Sequence, residues 1–176
     1  FGLSPIAIPG DWFVGIRFEH HRFKVWGGKL GDGTQVYLIG DDRFFGRPGI
    51  YNDPDGRPFA DELERYVFFA KGAVELVKCL GLAPDVIHLN DYHTAPIAAY
   101  MRALYTLEPA CWKCAVLYSI HNMAHQGAYA WSALETVGFD PGRYRDPYGP
   151  WLHEGAMNMM KAGIHYADLV NTVSPT

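Results

Sequence analysis

Four of the chain's eight histidines, His88, His93, His121 and His125, sit in or beside two short polar clusters: Asn90-Asp91-Tyr92-His93 and His121-Asn122-Met123-Ala124-His125-Gln126-Gly127. Imidazoles, carboxamides and a carboxylate at that density suit either of two tasks, ligating a metal or hydrogen-bonding the hydroxyls of a polyol. Spacing weighs against metal. His121 and His125 stand four apart, but the helical zinc motif needs a Glu directly after the first His, and here Asn122 follows at a strand end. A blander reading, histidines satisfied within a core or loop network, stays open beside the sugar-binding one. Cys111-Trp112-Lys113-Cys114 has the spacing of a redox dithiol or half a zinc site, yet it precedes a strand and has no second pair, so it reads as loop.

The elements that must position these clusters are legible from hydrophobic pattern. Residues 12–18, 23–26 and 34–39 read as strands, with Gly31-Asp32-Gly33 turning the last two into an antiparallel hairpin. A loop rich in Gly, Pro, Asp and Asn follows over 41–60; its aromatics Phe44, Phe45 and Tyr51 mark it as packed and functional. Asp61 with Glu64 opens a helix that carries Leu63, Tyr66, Val67, Ala70, Val74 and Val77 and stops near Gly81. Downstream the chain alternates: a buried strand over 85–89, a helix capped by Thr94 with Pro96 and ended by Glu108-Pro109, and a strand over 115–120. A mixed stretch through Pro150, a helix over 154–167 and a strand over 169–173 complete it. Such alternation predicts an α/β fold, a parallel sheet with flanking helices, whose ligands bind beyond the carboxyl ends of the strands. Both polar clusters follow such ends, as does Ser174-Pro175-Thr176.

Composition narrows the function. With 176 residues and 49% hydrophobic content the chain can bury a core as a single domain. A net charge of −4 with interspersed signs gives no basic footprint for nucleic acid. There is no apolar run of membrane-spanning length, and three cysteines fit a reducing compartment, so a cytoplasmic setting is the default expectation. The 15% aromatic content permits sugar binding without proving it. Glycosyl transfer needs carboxylates, amides and carbonyls converging on an oxocarbenium-like centre, and cations or a glycine loop at the departing phosphate. Asp91, His121 and Asn122 suit the first need; no phosphate loop of either common pattern serves the second.

Five segments, in order, resemble those of bacterial glycogen synthases and plant starch synthases. Asp85 through Ala95 is similar to DVVHxHDWHTA, and Ser119 through Gly127 to TIHNLAYQG. Lys161 through Asp168 with Thr172 through Thr176 resembles KAGIxYADxVTTVSPT. Phe44 through Tyr51 resembles YFxRxGIY, and Asp61 through Phe69 the DNxxRFxFF helix. Asn90, Tyr92 and His125 depart from the usual His, Trp and Tyr, which bears on fine specificity more than on reaction class.

The resemblance implies a retaining glucosyltransferase of GT-B architecture, in which residues 1–176 form part of the N-terminal, acceptor-side, Rossmann-like domain. It implies transfer of glucose from ADP-glucose or UDP-glucose to the non-reducing end of an α-1,4-glucan, with no metal and no other cofactor. Cytoplasm, or the plastid in a plant, is the implied location. Asp91 and His121 are the expected catalytic residues, the His121 carbonyl lying near the anomeric carbon; Asn122, Tyr51, His93 and Gln126 are the expected substrate contacts. A C-terminal nucleotide-sugar domain, absent from this sequence, would complete the site, so the chain alone is expected to give no turnover. Two rivals are a different GT-B enzyme, forming sucrose or trehalose, and a non-catalytic carbohydrate-binding module.

Overall fold

The computed structural model describes residues 2–7 and 12–173; the Ser174-Pro175-Thr176 end of the last motif lies outside them. β1 (Ser4–Pro5) is short. β2 (Phe13–Ile16) and β3 (Glu19–Arg22) pair as an antiparallel hairpin turned at Arg17-Phe18, which divides the strand expected over 12–18. Val14 and Ile16 are buried, and Arg17 adopts φ +53°, so Phe18 stands fully in solvent instead of continuing the alternation. His21 takes the next inward place, edge-on to Phe44 at 5.0 Å.

β4 (Lys24–Lys29) and β5 (Gln35–Gly40) form the expected hairpin, in register from Lys24↔Gly40 to Lys29↔Gln35, and β1 adds to its β4 edge. Asp32 accepts the Thr34 amide across the turn at 2.9 Å. The 41–60 segment packs as expected and starts with one helical turn, α1 (Asp42–Phe45). Phe44 is fully buried against Phe68. Arg47 and Arg65 lie over the Phe59 ring at 4.2 and 4.5 Å, and Arg65 donates to the Ile50 carbonyl at 2.9 Å. These contacts hold the loop over the start of α2 (Glu62–Cys79), the long helix expected from periodicity. Its capping differs from expectation: Asp61 gives no side-chain cap and pairs with Arg47, while Glu64 pairs with Arg17 at 3.2 Å.

β6 (Val86–Asn90) leads into α3 (Ala95–Ala99). Thr94 is not a side-chain cap; its hydroxyl donates to the Asn90 and Asp91 carbonyls at 2.9 and 3.1 Å, closing the strand-end turn instead. The helix widens into a π turn over Tyr100–Leu104. Tyr100, its first residue, donates to the Val137 carbonyl at 2.8 Å, and Tyr105 after it to Glu75 on α2. α4 (Pro109–Trp112) precedes β7 (Ala115–Ile120), the middle strand of the parallel sheet. Cys111 and Cys114 are free, buried thiols pushed above their ordinary pKa by burial, the opposite of a reactive dithiol. Their carbonyls are both gripped by Arg102, which also pairs with Asp168.

β8 (Ala128–Tyr129) and α5 (Leu134–Val137) follow. The helix expected over 154–167 begins later. β9 (Leu152–His153) and β10 (Ala156–Asn158) form a hairpin through Glu154 at φ +50° and Gly155 at φ +81°, conformations a right-handed helix excludes. α6 (Met159–Tyr166) starts only after it, capped by the Asn158 side chain on the Lys161 amide at 2.8 Å. β11 (Leu169–Thr172) completes the parallel sheet, in the order β11-β7-β6. α3 and α6 cover one face, where a Cβ on Gly163 would come within 2.9 Å of Ala95 and Tyr118, so only glycine lets the helix lie this close. The other face carries Val86, His88 and Leu169 exposed.

Candidate functional site

Because β6 and β7 are parallel neighbours, their carboxyl ends deliver the two polar clusters side by side. Asp91 sits at the joint. Its amide donates to the Ser119 carbonyl at 2.9 Å, which bends the backbone to φ +59°, a region that Asp tolerates better than most residues. Its carboxylate Oδ1 then accepts the His121 amide at 2.8 Å and the Asn122 amide at 3.3 Å. These are charge-assisted bonds that fix the main chain of the second loop to the first.

Tyr51, Asn52, Asp91, His93 and Asn122 line one cavity of about 470 Å³, walled on its far side by Glu62, Tyr92 and His125. That size suits a small-molecule ligand, and the lining is mostly apolar and aromatic with a few polar groups set into it. The His93 ring lies 3.8 Å from that of Tyr92, tilted by 31°, edge-on to Tyr66 at 4.5 Å and 5.7 Å from Tyr51. Its Nε2 is buried without a protein partner, and burial holds its pKa below the ordinary histidine value, so the ring stands in the cavity lining uncharged at physiological pH.

Of the six residues expected from sequence, four therefore converge: Asp91, Asn122, Tyr51 and His93. Gln126 lies in an adjoining cavity, its amide donating to the Met123 carbonyl at 3.1 Å and accepting from Asn158 at 2.8 Å. The His121 ring is held by Asn90 Oδ1 at 2.8 Å and is not among the lining side chains; its backbone is what Asp91 fixes. Asn90, a departure from the usual His, thus becomes the anchor of that ring.

Glu62 is a member of the site that the sequence reading did not assign, and His125, read there as part of the second polar cluster, joins it in the wall. Glu62, at the first turn of α2, accepts from the hydroxyls of Tyr66 and Tyr92, both at 3.4 Å. Burial, reinforced by this carboxylate, pushes the Tyr66 phenol up to about 12 and raises Tyr92 and Tyr129 further. All three are neutral donors at physiological pH. An acid at a helix N-terminus reads as a helix-dipole partner, which concealed Glu62; the position of the 41–60 loop over that helix end is what turns it into a cavity wall. Among the described residues no group of three or more His, Cys, Asp or Glu is arranged to hold a metal ion, and no helix is long and apolar enough to cross a membrane.

A family model described as the starch synthase catalytic domain matches residues 6–176. Glycogen synthase 1 of Geobacter sulfurreducens is 32% identical over 184 residues, taking in 99% of this chain and 34% of that protein. The glycogen synthase of Elusimicrobium minutum is 36% identical over 175 residues, 96% of this chain and 34% of its own. The solved catalytic domain of starch synthase IV from Arabidopsis thaliana, bound to ADP and acarbose, superposes with a TM-score of 0.84 at 26% identity, over 99% of this chain and 34% of that one. The chain thus spans about a third of the length of the relatives it matches, and its α/β arrangement is that of a solved starch synthase catalytic domain.

Proposed function

Because this chain belongs to the family of starch synthase catalytic domains, we propose that it forms the acceptor-side part of a glucosyltransferase. The enzyme moves glucose from ADP-glucose or UDP-glucose to the non-reducing end of an α-1,4-glucan with retained configuration. The observation that carries the reading is the cavity at the ends of β6 and β7, where Asp91, His93, Asn122 and Tyr51 set polar groups into a largely aromatic lining. The chain's likeness to two glycogen synthases and to a starch synthase supports an α-glucan as the polymer.

In the reaction the bond from the sugar's anomeric carbon to the diphosphate breaks, the acceptor hydroxyl bonds to that carbon, and the hydroxyl proton passes to the departing diphosphate. Asp91 holds the His121 and Asn122 amides rigid, so the main-chain dipole of His121 meets the positive charge developing at the anomeric carbon without reorganising. The His121 ring, steadied by Asn90, takes a hydroxyl of the transferred glucose. His93 and Asn122 take others, and Tyr51 offers its face to the acceptor. Among the described residues no Lys or Arg lines the cavity, so neutralisation of the diphosphate falls to a nucleotide-binding domain outside this sequence. Free thiols at Cys79, Cys111 and Cys114 support a cytoplasmic or plastid setting.

Transfer of labelled glucose from each donor to glycogen by the full-length protein tests the reading. His121→Ala is expected to lose at least about tenfold in kcat/KM, the equivalent of one hydrogen bond made in the transition state. Glucan retention without transfer from either donor would favour a binding module and overturn the proposal.

A further inference from the structure

Of the four histidines in or beside the polar clusters, three have a place at the site, and His88 lines neither of its cavities. The His88 ring lies on the exposed face of the parallel sheet, its Nε2 2.6 Å from the Ser119 hydroxyl. Ser119, almost fully buried, passes the bond on: its hydroxyl donates to Asn171 Oδ1 on β11. A carboxamide oxygen only accepts, so the ladder has one direction, with the His88 Nε2–H donating to Ser119 and Ser119 to Asn171. Strand register makes the reach possible. Ser119 stands opposite Asn171 on one side and Asn90 on the other, and His88 is two residues before Asn90 on the same face. One side chain from each of the three strands thus meets the others just below the carboxyl ends.

Ser119 also anchors the loops above it. Its carbonyl accepts the Asp91 amide at 2.9 Å, the Asp91 carboxylate accepts the His121 amide at 2.8 Å, and His121 follows Ser119 by two residues. These bonds close a small ring, in which a shift of Ser119 moves Asp91 and the His121 main chain together. We propose that His88 is a positioning residue for the transfer reaction. By pinning the Ser119 hydroxyl between β6 and β11 it holds this ring, and with it the His121 carbonyl, in place. It acts through Ser119 and Asp91 rather than by contact with the sugar, and its role in transfer rests on the reading of the strand-end cavity as the sugar-transfer site.

The test compares His88→Leu, His88→Gln and Ser119→Ala with the unmodified full-length protein in transfer of labelled glucose from ADP-glucose and UDP-glucose to glycogen, with kcat taken per folded protein. Gln places an amide donor where the Nε2–H was; Leu places none. Misplacement by about 1 Å can cost on the order of a hundredfold, so the smaller slack left by His88→Leu is expected to lower kcat roughly tenfold with donor KM nearly unchanged. His88→Gln should recover to within about threefold. Ser119→Ala cuts the ladder at its centre and keeps the fold, because His88 and Asn171 are exposed and can turn to water. Its kcat should fall as in His88→Leu, and the double variant should fall no further. Hydrogen exchange at the Asp91 and His121 amides should quicken roughly fivefold in both single variants. Equal kcat in Leu and Gln, or losses that multiply in the double variant, overturns the positioning role. Should the unmodified protein transfer nothing, the transferase reading falls by itself and amide exchange decides alone: unchanged exchange in His88→Leu and Ser119→Ala overturns the ladder.

Discussion

Replacing Asp91 separates two contributions that meet in one residue: the bonds its carboxylate makes and the left-handed backbone it occupies. Asp91→Asn keeps an acceptor oxygen and tolerance of φ +59°, losing only the charge on two hydrogen bonds. Because His121 and Asn122 are exposed and water competes there, that loss is about 1 kcal/mol. Asp91→Gly removes both bonds but relaxes the backbone, for roughly 2 kcal/mol. Asp91→Ala removes both and keeps a Cβ in the left-handed region, at roughly 1–2 kcal/mol of strain. The greater chain entropy of unfolded glycine offsets about 0.7 kcal/mol of that difference. The expected order of destabilisation is therefore Asn, then Gly, then Ala, with Ala below Gly by about 0.3–1.3 kcal/mol. Urea unfolding of the protein measures the order, and hydrogen exchange at the His121 and Asn122 amides reads the bonds directly. Exchange there should quicken about tenfold or more in the Gly and Ala variants and change little in Asn. Equal stability of Gly and Ala would refute the backbone argument; unchanged amide exchange in both would refute the anchoring role of Asp91.

His93 supplies a pH signature. Burial lowers its folded pKa, so below about 6.5 the unfolded chain takes up a proton that the folded ring refuses. Stability is fully present above that value and falls as pH drops toward the lowered folded pKa, with Asp91, Glu62 and His125 as the other titratable groups acting on the ring. Unfolding free energy measured between pH 5 and 7 should lose part of this slope in His93→Gln, and an identical slope would contradict the assignment. Arg102→Lys should destabilise by about 1–3 kcal/mol in thermal or urea unfolding, because one ammonium cannot reach the Cys111 carbonyl, the Cys114 carbonyl and Asp168 together. Full retention of stability would show that the three-way grip is idle.

What could be read in advance follows from how local each signal is. The buried strands at β6 and β7 and the long helix α2 carry their own apolar pattern, so their existence and the convergence of Asp91 with Asn122 followed from sequence. The Arg17-Phe18 and Glu154-Gly155 turns did not, because each lies inside a run whose composition also suits a regular element; only the positive φ angles, set by packing on both sides, divide them. Capping assignments failed at Asp61 and Thr94 for a related reason. Each has a competing partner, Arg47 or the Asn90 and Asp91 carbonyls, that is remote or outside the helix. Glu62 became a cavity wall through tertiary placement alone. The division of Gln126 from Asn122, four residues apart in one loop, likewise appears only once Glu62, Tyr92 and His125 stand between the two cavities.

The π turn at Tyr100–Leu104 works as a phase adjuster. An α-helix advances by a fixed angle per residue, so a single added residue normally swings everything after it by about 100°. Here the widened turn absorbs one residue's worth of rotation: Tyr100 still points to Val137, while Tyr105 reaches Glu75 on another helix. Length change by one residue is therefore tolerable at this turn. A relative lacking that residue should run as an unbroken α-helix with the same two anchors, its insertion point hidden from any comparison that counts residues rather than facing directions.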